Sequence, residues 1–205
     1  MQTLLLIEAS LNGAEGASTR LAAEFADRWL AAHPGGRIVR RDLSAGDIPH
    51  LTAERFAAFL AKPAERTPGQ QAIVDYSDAL IAELREADAV ALAVPMYNFS
   101  VPSTLRAYFD HVARSGVTFR YTKEGAVGLL GGKPAYVFIA RGGFYPEAID
   151  TQTTYVRQFL GFVGITDVTF VHAEGLAIDA ATRESSLAAA HERAAALVSM
   201  VAVAA

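Results

Sequence analysis

Three short segments of the sequence hold residue types suited to gripping a ligand rather than filling a core. The first, Ser10–Thr19 (SLNGAEGAST), offers hydroxyls at Ser10, Ser18 and Thr19, with Gly13, Gly16 and Ala17 keeping the chain slim. It leads into a helix, whose first turn carries free N–H groups and a partial positive charge suited to phosphate. The second, Pro95–Pro102 (PMYNFSVP), brackets Met96, Tyr97, Asn98 and Phe99 between prolines. Aromatic rings in a rigid loop can wall a flat, ring-shaped ligand. The third, Ala140–Tyr145 (ARGGFY), sets Ala140 and Arg141 beside Gly142 and Gly143. Paired glycines let backbone N–H donors approach a ligand edge. Each segment alone also has a plain reading. The first is then an ordinary capped loop, the second a turn whose aromatics fold into the core, the third a glycine turn with Arg141 in solvent.

Other chemistries are missing. The chain has no cysteine, which excludes disulfides, thiolate nucleophiles and thiolate-held metals. The five histidines show no ligand spacing, and H-E-x-x-H is absent, so no metal site is expected. There is no G-x-S-x-G elbow, no G-x-G-x-x-G and no P-loop; Gly131-Gly132-Lys133 runs into Pro134 and a strand instead. No side chain is assigned as a catalytic acid, base or nucleophile. Asp110 and Arg114, four apart, are expected to pair on a helix surface, Trp29 to lie in the core, and Glu83–Asp88 to form a solvated face.

The elements that must carry these loops follow from periodicity. Near-continuous apolar runs at Thr3–Ala9, Ala89–Val94, Ala135–Ala140 and Asp167–Ala173 predict strands buried on both faces, and Arg37–Asp42 a strand near an edge. Helical spacing predicts helices from a Ser18 or Thr19 cap to Ala32, and over Gln70–Glu86, Ser103–Arg114, Thr151–Val163 and about Ala181–Val201. Between Leu43 and Gly69, Pro49, Pro63 and Pro68 break the pattern, leaving a short helix at Thr52–Leu60 in an insertion. Strands separated by helices must run parallel. The expectation is a doubly wound α/β domain over residues 1–205, with five parallel strands and helices on both faces. Its ligand then lies at the carboxyl ends of the strands, where all three loops sit.

The 205 residues carry a net charge of −4, with 52% hydrophobic and 20% charged residues. That is a globular composition, and its acidity argues against a nucleic-acid partner. The longest N-terminal apolar run, Leu4–Ile7, is too short for a membrane span and lacks a cationic lead, so a soluble, cytoplasmic protein is expected.

A phosphate end, an aromatic middle and a donor-rich far edge describe flavin mononucleotide (FMN). The sequence resembles the FMN-dependent NADH:quinone oxidoreductases, or azoreductases, which have a flavodoxin-like fold. The matching stretches are Pro95–Gly125 (PMYNFSVPSTLRAYFDHVARSGVTFRYTKEG), Gly131–Gly143 (GGKPAYVFIARGG) and Gln158–Ala177 (QFLGFVGITDVTFVHAEGLA). The resemblance implies a phosphate loop at Ser10 and Gly16-Ala17-Ser18, a ring-lining segment at Met96-Tyr97-Asn98-Phe99 and a second flavin loop at Ala140-Arg141-Gly142-Gly143. It implies Tyr121, Phe162 and Tyr145 at a substrate pocket, and a homodimer with the flavin at its interface. Gly16 and Ala140 stand where relatives often have serine, and Tyr145 where histidine is common. Each lost hydroxyl removes a possible bond, so FMN is expected to bind through backbone N–H groups, more weakly.

The implied activity is two-electron reduction of quinones by NADH or NADPH through FMN, with cleavage of azo compounds. N–H donors of Gly142 and Gly143, helped by Arg141, would steady charge on the reduced ring. An electron carrier serving a protein partner and a flavin-free interaction module stay open as alternatives.

Overall fold

Strands whose every side chain is apolar and buried can lie only in the middle of a sheet covered on both faces. In the computed structural model, which describes residues 1–46 and 48–203, AVALAVP and AYVFIA take that place. The order along the chain is β1 (Thr3–Glu8), α1 (Ala17–Ala32), β2 (Arg37–Asp42), α2 (Ala53–Leu60), α3 (Pro68–Glu86), β3 (Ala89–Pro95), α4 (Ser103–Val112), β4 (Phe119–Thr122), β5 (Gly125–Gly128), β6 (Ala135–Ala140), α5 (Thr151–Val163), β7 (Val168–Ala173) and α6 (Ala180–Val203). The main sheet runs β2-β1-β3-β6-β7, all parallel. Charged β2 lies at one edge, where a strand needs cover on fewer sides.

Alternation along each strand feeds two cores. Leu5, Ile7, Val90, Leu92, Val137 and Ile139 face α3, α4 and α5. Leu4, Leu6, Ala91, Tyr136 and Phe138 face α1 and α6, where Phe25 meets Tyr136 and Phe138 at ring distances of 4.6 and 5.2 Å. Trp29 is buried in this second layer, as its helical spacing predicts. From β1 the chain steps outward to β2, then back across to β3. The order reverses there, and loops at the carboxyl ends of β1 and β3 part to leave a crevice.

Several local expectations need correction. Pro68 opens α3 instead of breaking it, because proline at the first helical turn loses no needed N–H and Thr67 with Gln70 closes a capping box in front of it. Arg114 does not pair with Asp110 on the surface. Its side chain is buried, with Nη1 donating to Ser77 Oγ at 2.8 Å, while Asp110 pairs with Arg106 at 3.7 Å. Glu83–Asp88 is only partly solvated. Glu83 holds Arg41, Leu84 and Ala87 are buried, and Asp88 accepts the Thr3 N–H at 2.7 Å.

The hairpin of β4 and β5 has no counterpart in the sequence reading, because its strands are four residues each and one is half glycine. It presses backbone to backbone on the end of α5. A Cβ on Gly128 would stand 2.0 Å from the Gly164 nitrogen, and Gly164 itself has φ +104°. Backbone of α6 is described to Val203, so residues 204–205 of the apolar C-terminal stretch lie outside the described residues.

Candidate functional site

The loop after β1 makes a short turn at Gly13–Glu15 and enters α1 with Gly16 as the capping residue. Ser18 and Thr19 therefore lie inside the first helical turn, not at the cap. No side chain caps this helix. Its leading N–H groups have no partner among the described residues, as at a typical helix start. Ser18 and Thr19 are 0% and 5% exposed, and their hydroxyls have no hydrogen-bond partner among the described residues. Two buried hydroxyls left bare beside a bare helix end are costly, by about 1–3 kcal/mol each, unless something binds there. Ser10, 2% exposed, closes the cradle: a Cβ built on Gly16 would lie 2.2 Å from Ser10 Oγ and 3.2 Å from Thr19 Oγ1. Position 16 is thus pressed against both hydroxyls. A cavity of about 180 Å³ opens beside it, lined by Glu8, Ser10, Gly13, Thr19 and Arg40. Burial raises the Glu8 carboxyl above its ordinary range, against the lowering pull of Arg40.

The loop after β3 is a tight turn. Tyr97 and Ser100 exchange both N–H···O bonds at 3.0 Å. The two residues between them, Asn98 and Phe99, have φ of 48° and 64°. Left-handed backbone at a bulky residue such as Phe99 is strained, and such strain collects at functional sites. The turn lifts the Phe99 ring outward, 68% exposed, and leaves the N–H groups of Asn98 and Phe99 with no partner among the described residues. Two bonds tie it to its neighbours. The Leu11 N–H donates to Tyr97 Oη at 3.1 Å, and the Met96 N–H donates to the Ala140 carbonyl at 2.9 Å. A cavity of about 660 Å³ is lined by Leu11, Met96, Tyr97, Asn98, Val101 and Thr104.

The loop after β6 shows the same pattern in another form. The carbonyls of Gly142 and Gly143 accept from Ala177 and Gly175, both at 3.0 Å, whereas their N–H groups have no partner among the described residues. Nothing inside the chain forces Gly143 to be glycine, since a Cβ there would make only ordinary contact with the Tyr145 ring at 3.6 Å or more. Tyr145 stands edge-on to Phe99 with ring centres 6.2 Å apart, so these two predicted residues meet. Arg141 departs from both sequence readings of its side chain. It is neither in solvent nor free to touch a ligand. It is 2% exposed and spends its guanidinium on Gln152, Asp150, Thr153 and Glu174.

Ser10, Gly16, Ala17, Ser18, Met96–Phe99, Ala140–Gly143 and Tyr145 thus share one edge of the sheet. Tyr121 and Phe162 do not. They meet through Phe119, whose ring lies 4.3 Å from Phe162 and 5.5 Å from Tyr121. That cluster sits at the far end of α5, whose near end touches the site through Thr151 and Phe99. Phe162 is then about 16 Å away along the helix, at 1.5 Å per residue.

The sequence reading missed Gln152, Asp150 and Glu174, which brace the third loop. Only Asp150 left a local signal, as an acidic cap three residues before Thr153, whose N–H it accepts at 2.9 Å. Burial works to raise its carboxyl, but the bonds from Thr153 and then Arg141 outweigh this and hold it below its ordinary range.

Comparison with known proteins bears on the fold and the family. A family described by its flavodoxin-like fold matches residues 2–198. The FMN-dependent NADH:quinone oxidoreductase of Cellvibrio japonicus is 53% identical over 177 residues, covering 86% of this chain and 89% of that one. The protein of the same name from Alteromonas mediterranea is 46% identical over 94% of this chain and 96% of its own. Among solved structures, an azoreductase from Bacillus anthracis superposes with a TM-score of 0.89 at 30% identity, covering 97% of this chain and 99% of that one. The chain belongs to the family of FMN-dependent NADH:quinone oxidoreductases, built on the flavodoxin-like fold.

Proposed function

We propose that this chain is an FMN-dependent NADH:quinone oxidoreductase that also cleaves azo compounds reductively. The observation that carries the reading is the pair of buried, unpartnered hydroxyls of Ser18 and Thr19 at the bare start of α1. They lie at the sheet edge where two further loops hold free N–H groups. A phosphate supplies acceptor oxygens and negative charge, which is what this cradle lacks. Ser10, Gly16, Ala17 and Ser18 would hold the phosphate. Met96, Tyr97, Asn98 and Phe99 would line the ring, and Ala140, Gly142 and Gly143 its far edge. Arg141 contributes its backbone there.

FMN, when bound, would supply the hydride chemistry that links NADH to the acceptor. The protein's part is to orient and to neutralise. The free N–H groups of Gly142 and Gly143 favour negative charge on the ring edge they face, and fixed dipoles cost no reorganisation during reaction. Phe99 and Tyr145, in edge-on contact, would flank one side of the ring. No proton-transfer side chain is needed for hydride transfer. Donor and acceptor using one open face must take turns, so parallel double-reciprocal lines are expected. NADH as donor fits a cytoplasmic address.

A homodimer completes the site in this reading. Phe162 near the end of α5, and Tyr121 of β4, 74% exposed and joined to it through Phe119, lie too far from the three loops of their own chain to reach them. They can line the pocket only from a second copy.

The test is the visible spectrum of the purified protein under nitrogen, before and after NADH. An oxidised-flavin spectrum that NADH bleaches directly is expected. Flavin that NADH and NADPH leave unbleached would make the protein a carrier. Failure to take up added FMN would remove the function and leave the fold. A monomer in sedimentation, with Tyr121→Ala leaving quinone kcat/KM unchanged, overturns the shared site.

A further inference from the structure

Arg141 makes more bonds than any other side chain at the site, and none of them points to a ligand. Nε donates to Gln152 Oε1 at 3.2 Å, and Gln152, itself fully buried, passes the link on from Nε2 to the Pro95 carbonyl at 2.9 Å. Nη1 donates to Glu174 Oε1 at 3.1 Å, and the same oxygen accepts the Tyr145 N–H at 3.2 Å. Nη2 donates to both carboxylate oxygens of Asp150, at 2.9 and 2.7 Å, and to Thr153 Oγ1 at 2.6 Å. Beside the hub, Thr151 Oγ1 donates to the Phe99 carbonyl at 2.6 Å. One planar cation therefore joins the end of β3, the end of β7, the start of α5 and the far end of its own loop.

We propose that Arg141 is the positioning residue of both ring-side loops, holding the turn at Met96–Ser100 and the turn at Gly142–Tyr145 in one fixed relation without touching the cofactor. The consequence for cofactor binding rests on the FMN reading above; the mechanical link does not. The geometry requires arginine. Its fork serves four acceptor groups in different directions, where the ammonium of lysine is a point charge on a flexible stem. Without that cation, two carboxylates, Asp150 and Glu174, would converge with nothing between them to offset their charge. The free N–H groups of Asn98, Phe99, Gly142 and Gly143 are the groups so aimed. A site loosened by a fraction of an ångström loses binding and chemistry together.

The test compares wild type, Arg141→Lys and Gln152→Leu as full-length proteins. Three quantities are read: hydrogen exchange without FMN, FMN affinity by fluorescence quenching, and the reduction potential of bound FMN. In Arg141→Lys, the amides of Met96, Tyr97, Ser100 and Tyr145 are expected to exchange at least about tenfold faster. FMN should bind about tenfold more weakly, the scale of one lost charge-assisted bond. The potential should fall as the donors drift from the ring. Gln152→Leu keeps Arg141 and its charge, and is expected to speed exchange at Met96–Ser100 while Tyr145 stays protected.

Arg141→Lys with weaker FMN but unchanged exchange and potential would show a direct charge contact and overturn the proposal. So would Gln152→Leu with unaltered exchange at Met96–Ser100. Should Arg141→Lys exchange globally as an unfolded chain, the Gln152→Leu result decides alone. If the wild type takes up no FMN, the functional reading fails, and the exchange arms still judge the link.

Discussion

The first and third loops of the site meet a ligand from opposite states of preparation. Around α1's start, polar groups are left over: two buried hydroxyls and a turn of N–H groups have no partner among the described residues. Around Arg141, every nitrogen of the guanidinium is engaged within the protein. The first region is unsatisfied and waits for charge from outside. The third is saturated, and only its backbone edge at Gly142 and Gly143 is open. A phosphate is a small, symmetrical anion that a ring of donors can grip by itself. A flat ring needs edges held in register, which takes scaffolding behind the loop. The contrast makes a sharp demand: damage to the third region must cost stability, whereas damage to the first must cost binding.

The largest effect is expected from Asp150→Ala. It removes the carboxylate that takes two bonds from buried Arg141 and the cap of α5 together, leaving Glu174 as the one carboxylate on that cation. Breaking such a pair typically costs about 3–5 kcal/mol, with the lost cap adding about 1 kcal/mol. Urea unfolding of the FMN-free protein measures it, and a loss below 1 kcal/mol would mean the hub is not the brace its geometry suggests.

Ser18→Ala should do the reverse. It deletes a hydroxyl that has no partner in the folded chain, so stability without FMN is expected to hold or rise, by up to about 1 kcal/mol. FMN affinity should nevertheless fall about tenfold, one hydrogen bond to a charged group. Thr19→Val should behave alike. Loss of stability together with unchanged FMN binding would dissolve the contrast between the two loops.

The split also explains what the sequence disclosed. The buried strands were legible because a parallel sheet covered on both faces writes itself as unbroken apolar runs, as in AVALAV and AYVFIA. The three loops were legible because they follow those runs and carry small, hydroxylated or aromatic residues. The hub was not. Gln152, Thr153 and Glu174 look like ordinary polar residues of a helix start and a strand end, and only folding brings them to Arg141 from 11, 12 and 33 positions away. The N–H groups of Asn98 and Phe99 were hidden too, because no proline or glycine marks their left-handed turn. Arg114 was misjudged for a related reason. Helical spacing to Asp110 says nothing about Ser77, which lies 37 positions away and accepts its bond.

A smaller effect tests the first loop at Gly16. A side chain there meets Ser10 Oγ, the free end of a rotatable group whose one recorded bond, from the Asn12 N–H, is a long 3.3 Å. The clash is therefore cheap to relieve. Gly16→Ser is expected to tighten FMN binding by a few-fold, the worth of about one neutral hydrogen bond. Gly16→Val adds the bulk without the donor and should weaken binding. Equal losses in both variants would show that Ser10 cannot swing aside.

The smallest effect is expected from pH, and it reaches the third region from behind. Arg141 Nη2 donates to Thr153 Oγ1, which stands 3.0 Å from Nε2 of the partly buried His172. Burial pushes its pKa down, and so does Arg141; Glu174 and Asp150 pull the other way, and Arg193 adds a little more lowering. The Phe170 ring stacked against it offers a proton no acceptor. His111 moves in the same direction, chiefly through burial. Its Nε2 faces the Pro49 carbonyl at 2.8 Å, and its Nδ1 has no partner among the described residues. A histidine whose folded pKa lies below its unfolded value of about 6.5 binds more protons when unfolded. Stability is then complete above about pH 6.5 and falls as pH drops through that value toward the folded pKa. Asp150 acts in a separate window, lower still, because its own pKa is held below the ordinary carboxylate range. Unfolding free energy measured between pH 8 and pH 5 should therefore decline with acid, and His172→Gln should flatten part of the slope. A slope unchanged in that variant would place the proton elsewhere and leave the hub insensitive to acid.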